Sequence, residues 1–272
     1  MKIHVENVNG VTTKLIEVTP DTAAAWLKQN VRNRRVNPKA VQDYARQMAS
    51  GLWKLNGESI KIASDGTLLD GQHRLEAIVE AGVTLTLMVV EGLPPEYQDT
   101  MDLGRKRSAA DAFAMDGVAN ATMVAAIGRR AWMWDQGNIR FVAATSPSPS
   151  EVKQTVEKYP HIHRSAEIAA RTAMSYKPVR GAVAGTAHHL FTQLDQSLTA
   201  EFFAQLGSGA DLEKGHPVLA LRNRLMNDKM NNKRVPFHLG LALYIRAWNG
   251  RREARELDRL IHTAEEPMIR PV

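Results

Sequence analysis

The residues best suited to chemistry stand together at Asp70-Gly71-Gln72-His73-Arg74. They follow a short apolar stretch, Thr67–Leu69, and precede Leu75, Ile78 and Val79, which share one helical face, so the run reads as strand, break, helix. The first backbone N–H groups of a helix lack partners within it and carry the positive end of its dipole. A glycine at that entry lets a ligand approach the backbone. Arg74 supplies a planar, permanent charge that suits phosphate oxygens, and His73 a donor that titrates near neutrality. The pattern predicts an anion site with Gly71, Gln72, His73 and Arg74 as phosphate contacts. A plainer reading of the same residues makes Asp70 the helix cap, Gly71 a turn residue and Arg74 part of a wet face.

Turning over a phosphate bond needs a group that activates a nucleophile as well as a cradle. The nearby carboxylates are Glu58, Asp65, Asp70 and Glu76. Asp65 falls in the turn Ser64-Asp65-Gly66-Thr67, at the far end of a hairpin from the loop. Glu76 lies two residues past Arg74 and points elsewhere on the helix. Glu58 and Asp70 remain as candidate catalytic groups, and Asp70 suits a magnesium ion held beside phosphate oxygens. With so few groups on offer, any activity is expected to be at most a slow NTPase or kinase.

Other clusters carry weaker signals. Arg105, Lys106 and Arg107 form a compact basic run that suits phosphate contacts, against a solvated loop balanced by Asp102 and Asp111. Arg32, Arg34 and Arg35 sit in a break between helices. Later in the chain, Arg222, Arg224, Lys229, Lys233 and Arg234 are interleaved with Asn223, Asn227, Asn231 and Asn232, and Arg251 and Arg252 follow Trp248. These seven cations are candidate double-stranded DNA contacts. The competing reading makes them the wet faces of helices whose dry faces hold Leu219, Leu221, Leu225, Leu239, Leu243 and Ile245. His161 and His163, like His188 and His189, are spaced to face apart on a helix, and no H-E-x-x-H occurs, so no protein cage for a metal is expected.

Positioning these groups requires a mixed fold. Ile3, Val5 and Val8, then Leu15, Ile16 and Val18, suggest two strands around an Asn9-Gly10 turn. Thr19-Pro20 and Asn37-Pro38 each pair a capping residue with a proline suited to the first helical turn. Ser59–Ala63 reads as a strand, and the nearly all-apolar Thr84–Val90 as an interior one. Pro94 and Pro95 open a further helix, and strand signals stop after about residue 108. Ser148-Pro149-Ser150-Glu151 marks a helix start, and others are expected near Pro178, Pro217 and Pro236. The expected fold class is α+β, with an α+β domain over 1–107 and an all-helical domain over 108–272. The 272 residues are 44% hydrophobic, enough for a sizeable core. The absence of cysteine excludes disulfides, thiol nucleophiles and cysteine-ligated metals. A net charge of +6 permits a polyanionic partner. No stretch reads as a membrane span or secretory signal, so a cytoplasmic protein is expected.

The stretch Asn56-Gly57-Glu58-Ser59-Ile60, with Leu69 through Ala77, resembles the signature of the ParB/sulfiredoxin superfamily. Its members share a strand, turn, strand and then a G-x-H/R-R loop opening a helix. The Asp-Gly-Gln-His-Arg wording is similar to a branch found among phage proteins and DNA-modification regulators. The resemblance spans roughly residues 12–107 and is specific at 69–77. It implies a ParB/sulfiredoxin-like domain whose loop binds the phosphates of CTP, ATP or ADP, with magnesium, through Gly71, His73 and Arg74. It also implies that Arg105 and Arg107 return over that site. The sulfiredoxin cysteine is absent, and CTP-switching members carry Glu-Arg-Arg where this chain has Gln72-His73-Arg74. The implied function is a nucleotide-responsive DNA-binding or regulatory protein, phage-encoded or bacterial, with a homodimer as one open arrangement. The alternatives are a kinase or NTPase, less readily a nuclease (Glu58 and Lys61 are spaced E-x-x-K, not E-x-K), or a protein-interaction scaffold with a degenerate site.

Overall fold

A computed structural model of the chain describes residues 6–8, 10–31, 33, 35–101, 108–143 and 145–272. The chain divides into two units, Met1–Lys106 and Arg107–Val272. The fold is mixed α+β.

In the first unit, β1 (Glu6–Val8) and β2 (Val11–Val18) form an antiparallel hairpin in which Val8 faces Val11. β2 continues antiparallel along β5 (Leu85–Leu93), and β5 runs parallel to β3 (Ser59–Ala63). β4 (Leu68–Asp70) returns antiparallel beside β3, giving the order β1-β2-β5-β3-β4. The interior place of β5 suits its apolar sequence, since both its edges are paired, and Leu87 and Val89 on one face are buried. The strand expected at Thr67–Leu69 is shifted by one residue and takes in Asp70, which then pairs across to Lys61.

Local chemistry sets the helix starts. Thr19 Oγ1 accepts the Thr22 N–H at 3.1 Å and opens α1 (Pro20–Leu27). Asn37 Oδ1 accepts from the Lys39 and Ala40 N–H groups and opens α2 (Pro38–Ala49). α3 (Gln72–Ala81) packs against both and ends at Gly82. Its Leu75 and Ile78 join Ile60, Leu68, Leu87 and Val89 in a core closed by Val41, Ala45 and Met48 of α2. Pro95–Thr100 forms a 3-10 turn rather than the expected α-helix.

The described residues of the second unit form helices without strands: α4 (Ala109–Met115), α5 (Ala121–Asp135), α6 (Pro149–Lys158), α7 (Ile162–Ser175), α8 (Gly181–Thr192), α9 (Gln196–Ser208), α10 (Pro217–Met230) and α11 (Phe237–Arg252). Ser148 and Glu151 form a reciprocal capping box at α6. α8 begins three residues later than its proline suggests, because Val179 N–H first closes a turn onto Tyr176 O. The core gathers on Trp248, stacked on Phe191 at 4.3 Å and edged by Phe202. Among the described residues, no helix is long and apolar enough to cross a membrane.

Candidate functional site

The Lys61↔Asp70 register places these two side chains next to one another across the sheet. Lys61 Nζ lies 2.6 Å from Asp70 Oδ2. The chain then turns through Gly71, at φ +107°, into α3, and Arg74 reaches back one turn to bring Nη2 within 3.2 Å of the same oxygen. Burial opposes ionisation of Asp70. The hydrogen bond from Lys61, the charges of Arg74 and Lys61, and the Gly71 N–H outweigh it and hold the carboxyl below its usual range. One carboxylate is therefore clamped by two cations at the start of a helix.

Arg74 is only 8% exposed. Among the described residues its buried Nη1 has no hydrogen-bond partner, and Glu58 Oε2 stands 3.9 Å off on an otherwise exposed side chain. A buried guanidinium nitrogen left unbonded is costly, and such atoms are rare in folded proteins.

Three sequence expectations change. Asp70 does not cap α3: Gly71 occupies the cap position with no side-chain hydrogen bond, because the Asp70 carboxylate is drawn to Lys61 and Arg74. Gly71 is favoured by its φ of +107° and by packing, since a Cβ there would stand 2.4 Å from Ile60 Cδ1. Its lack of a side chain thus serves β3 before any ligand. His73 Nε2 accepts the Asn37 N–H at 3.0 Å, so that nitrogen carries no proton and is committed to the entrance of α2.

Sequence reading also missed an amide network around the loop. Asn30 Nδ2 donates to Gln72 Oε1 at 2.9 Å, and Gln72 is 4% exposed. Asn33 Nδ2 bonds Asn30 Oδ1 and Leu68 O, while Gln98 Nε2 bonds Leu69 O and Asn33 Oδ1. These amides fix the strand end and the helix start together. No spacing rule in the sequence links residues 30, 33, 72 and 98. Arg32, Arg34, Arg105 and Arg107 lie outside the described residues.

The seven candidate DNA cations separate into two groups. Arg222 stacks on the Tyr176 ring at 3.9 Å and donates to Leu206 O. Arg224 bonds Asp228 and Leu260 O, and Arg251 pairs with Glu201 at 2.8 Å. These three are partly buried and serve the fold. Lys229, Lys233 and Arg234 remain exposed, as does Arg252, which also stands 3.9 Å from Asp195 and over the Trp248 ring.

His188 and His189 point to different partners, as their spacing implies, but one ring from each sequence pair meets across helices. His161 and His189 stack with ring centroids 4.9 Å apart and a 2.8 Å contact between Nε2 and Nδ1, while His188 bonds Ser165 Oγ. Burial, reinforced by neighbouring positive groups, pushes His188 down to about 4 and His189 to about 3. These two rings are therefore neutral core hydrogen-bonding groups at ordinary pH. Among the described residues, no three His, Asp or Glu side chains come together as a metal cage. Comparison of the chain with protein-family models, curated proteins and solved structures found no match.

Proposed function

We propose that the first unit is a ParB/sulfiredoxin-like domain that binds the phosphate groups of a nucleotide at the start of α3. On this reading the protein is a nucleotide-responsive regulator that contacts DNA. The observation that carries the reading is Arg74 in the first turn of α3, whose buried Nη1 lacks a hydrogen-bond partner among the described residues. Lys61 stands beside it as a second cation. Magnesium, if used, would be held between Asp70 and phosphate oxygens rather than by a protein cage.

Fast turnover does not suit this arrangement. Asp70 is a weak base because two cations lower its proton affinity, and Glu58 is exposed. Ligand binding is therefore proposed to act through the amide network on Asn30, Asn33 and Gln98. DNA contact falls to the exposed Lys229, Lys233, Arg234 and Arg252.

The test is calorimetry with CTP, ATP, ADP and GTP, with and without magnesium, followed by DNA retention at rising salt. Arg74→Ala should weaken nucleotide binding by about 1.5–3 kcal/mol, the worth of a charged hydrogen bond. DNA retention should fall steeply with salt and change when nucleotide is added. Absence of binding by any of the four nucleotides would remove the proposal.

A further inference from the structure

The second unit holds a groove of about 720 Å³ lined by α10, α11 and the segment 258–264. Asn223 and Asn227 on α10 and Asn231 at its C-terminal cap recur at intervals of four and line it. Leu239, Leu243 and Leu260 give it an apolar side. Asp228 also lines the groove and is only 6% exposed. Its Oδ2 accepts from Arg224 Nε at 2.9 Å, and Arg224 is itself anchored to Leu260 O. The other oxygen, Oδ1, is buried and has no hydrogen-bond partner among the described residues.

A buried carboxylate oxygen without a donor is an exception that calls for a cause. Arg224 already balances the charge of Asp228, so the missing partner is a neutral N–H rather than a second cation. Asn231 Nδ2 donates to Asn227 O and Oδ1, which leaves the Asn227 N–H₂ and the Asn231 carbonyl, with the Asn223 amide, as a mixed set of donors and acceptors that matches the edge of a nucleobase. The leucines suit the face of a flat ring. Lys233 and Arg259 line the groove too and are exposed, which suits a phosphate at its mouth. The volume lies in the range of small-molecule sites.

We propose that this groove binds a nucleoside or nucleotide by its base, with an amino N–H of the base donated to Asp228 Oδ1. The site is separate in the chain from the α3 loop and does not depend on the reading of that loop.

Nucleosides test it, because they carry no phosphate for the α3 loop to hold. Adenosine, cytidine, guanosine and uridine are titrated at millimolar concentration into the full chain and followed by calorimetry. At least one of the three amino-bearing nucleosides should bind, and more tightly than uridine. Asp228→Asn, which can turn an N–H₂ toward the base, should weaken it about tenfold or more. If Asp228→Asn does not fold, Asn227→Leu at an exposed position carries the test and should also weaken binding. No nucleoside binding, uridine binding as tightly as the others, or unchanged affinity in the folded variants would each overturn the proposal.

Discussion

Asp70→Asn is expected to lower stability and raise anion affinity at once. In the native protein this carboxylate accepts from Lys61 at 2.6 Å and Arg74 at 3.2 Å. Removing its charge leaves two cations facing a neutral amide. Breaking a fully buried pair costs about 3–5 kcal/mol. Here the side chains of Lys61 and Asp70 keep 26% and 22% of their exposure, so water recovers part of that, and about 2 kcal/mol is expected. The same carboxylate repels an arriving phosphate. At about 6 Å and an effective dielectric of about 20, one unit charge acts with roughly 2.8 kcal/mol. Salt and water at the mouth reduce this to about 1–1.5 kcal/mol, or about tenfold in affinity. Urea denaturation reads the first effect, and calorimetry with CTP or inorganic phosphate in EDTA the second. With magnesium present the gain should shrink or reverse, since Asp70 would then be a ligand rather than a rival. A variant that is less stable yet binds phosphate no more tightly in EDTA would refute the reasoning, because Asp70 would not lie where phosphate binds.

Gly71→Ala should destabilise the chain by about 2–4 kcal/mol, combining a contact with Ile60 Cδ1 and a positive φ. Ile60→Val, which removes that methyl, should recover part of the loss in the double variant, and strict additivity by denaturant unfolding would contradict the packing account. Acid should weaken the second unit before carboxylates protonate. Below about pH 6.5 the unfolded chain takes up protons that folded His188 and His189 refuse, so stability falls from there toward pH 4. For His188 alone the loss is on the order of 3 kcal/mol at pH 4, and His188→Leu should flatten the acid limb of stability against pH. An unchanged limb would place the acid sensitivity elsewhere.

The paired cations around Asp70 and the Asp228–Arg224 pair show two uses of the same chemistry. Each carboxylate is held by an arginine four residues away in the chain, which fixes its direction. In the first case the unsatisfied atom is on the cation, in the second on the carboxylate. On the proposed readings the first takes an acceptor such as phosphate, and the second a neutral donor.

The features legible in the sequence are those decided within a few residues. Thr19, Asn37 and Ser148 cap their helices because each side chain reaches an N–H two or three residues on. The interior β5 followed from an apolar run, and the start of α3 from Asp-Gly before a helical period. The roles within the candidate site were not legible, because they depend on residues that only the fold brings together. Lys61 meets Asp70 through a one-residue choice of strand register, and Gly71 answers both to a positive φ and to Ile60 of β3. His161 and His189, 28 residues apart, face one another because α7 packs on α8. Arg222 and Arg224 look like surface cations in a basic stretch, yet Tyr176 and Asp228 turn them inward. Periodicity gives the face of a helix, whereas the partner of each charge is set by which helix lies opposite, and that is a property of the tertiary structure alone.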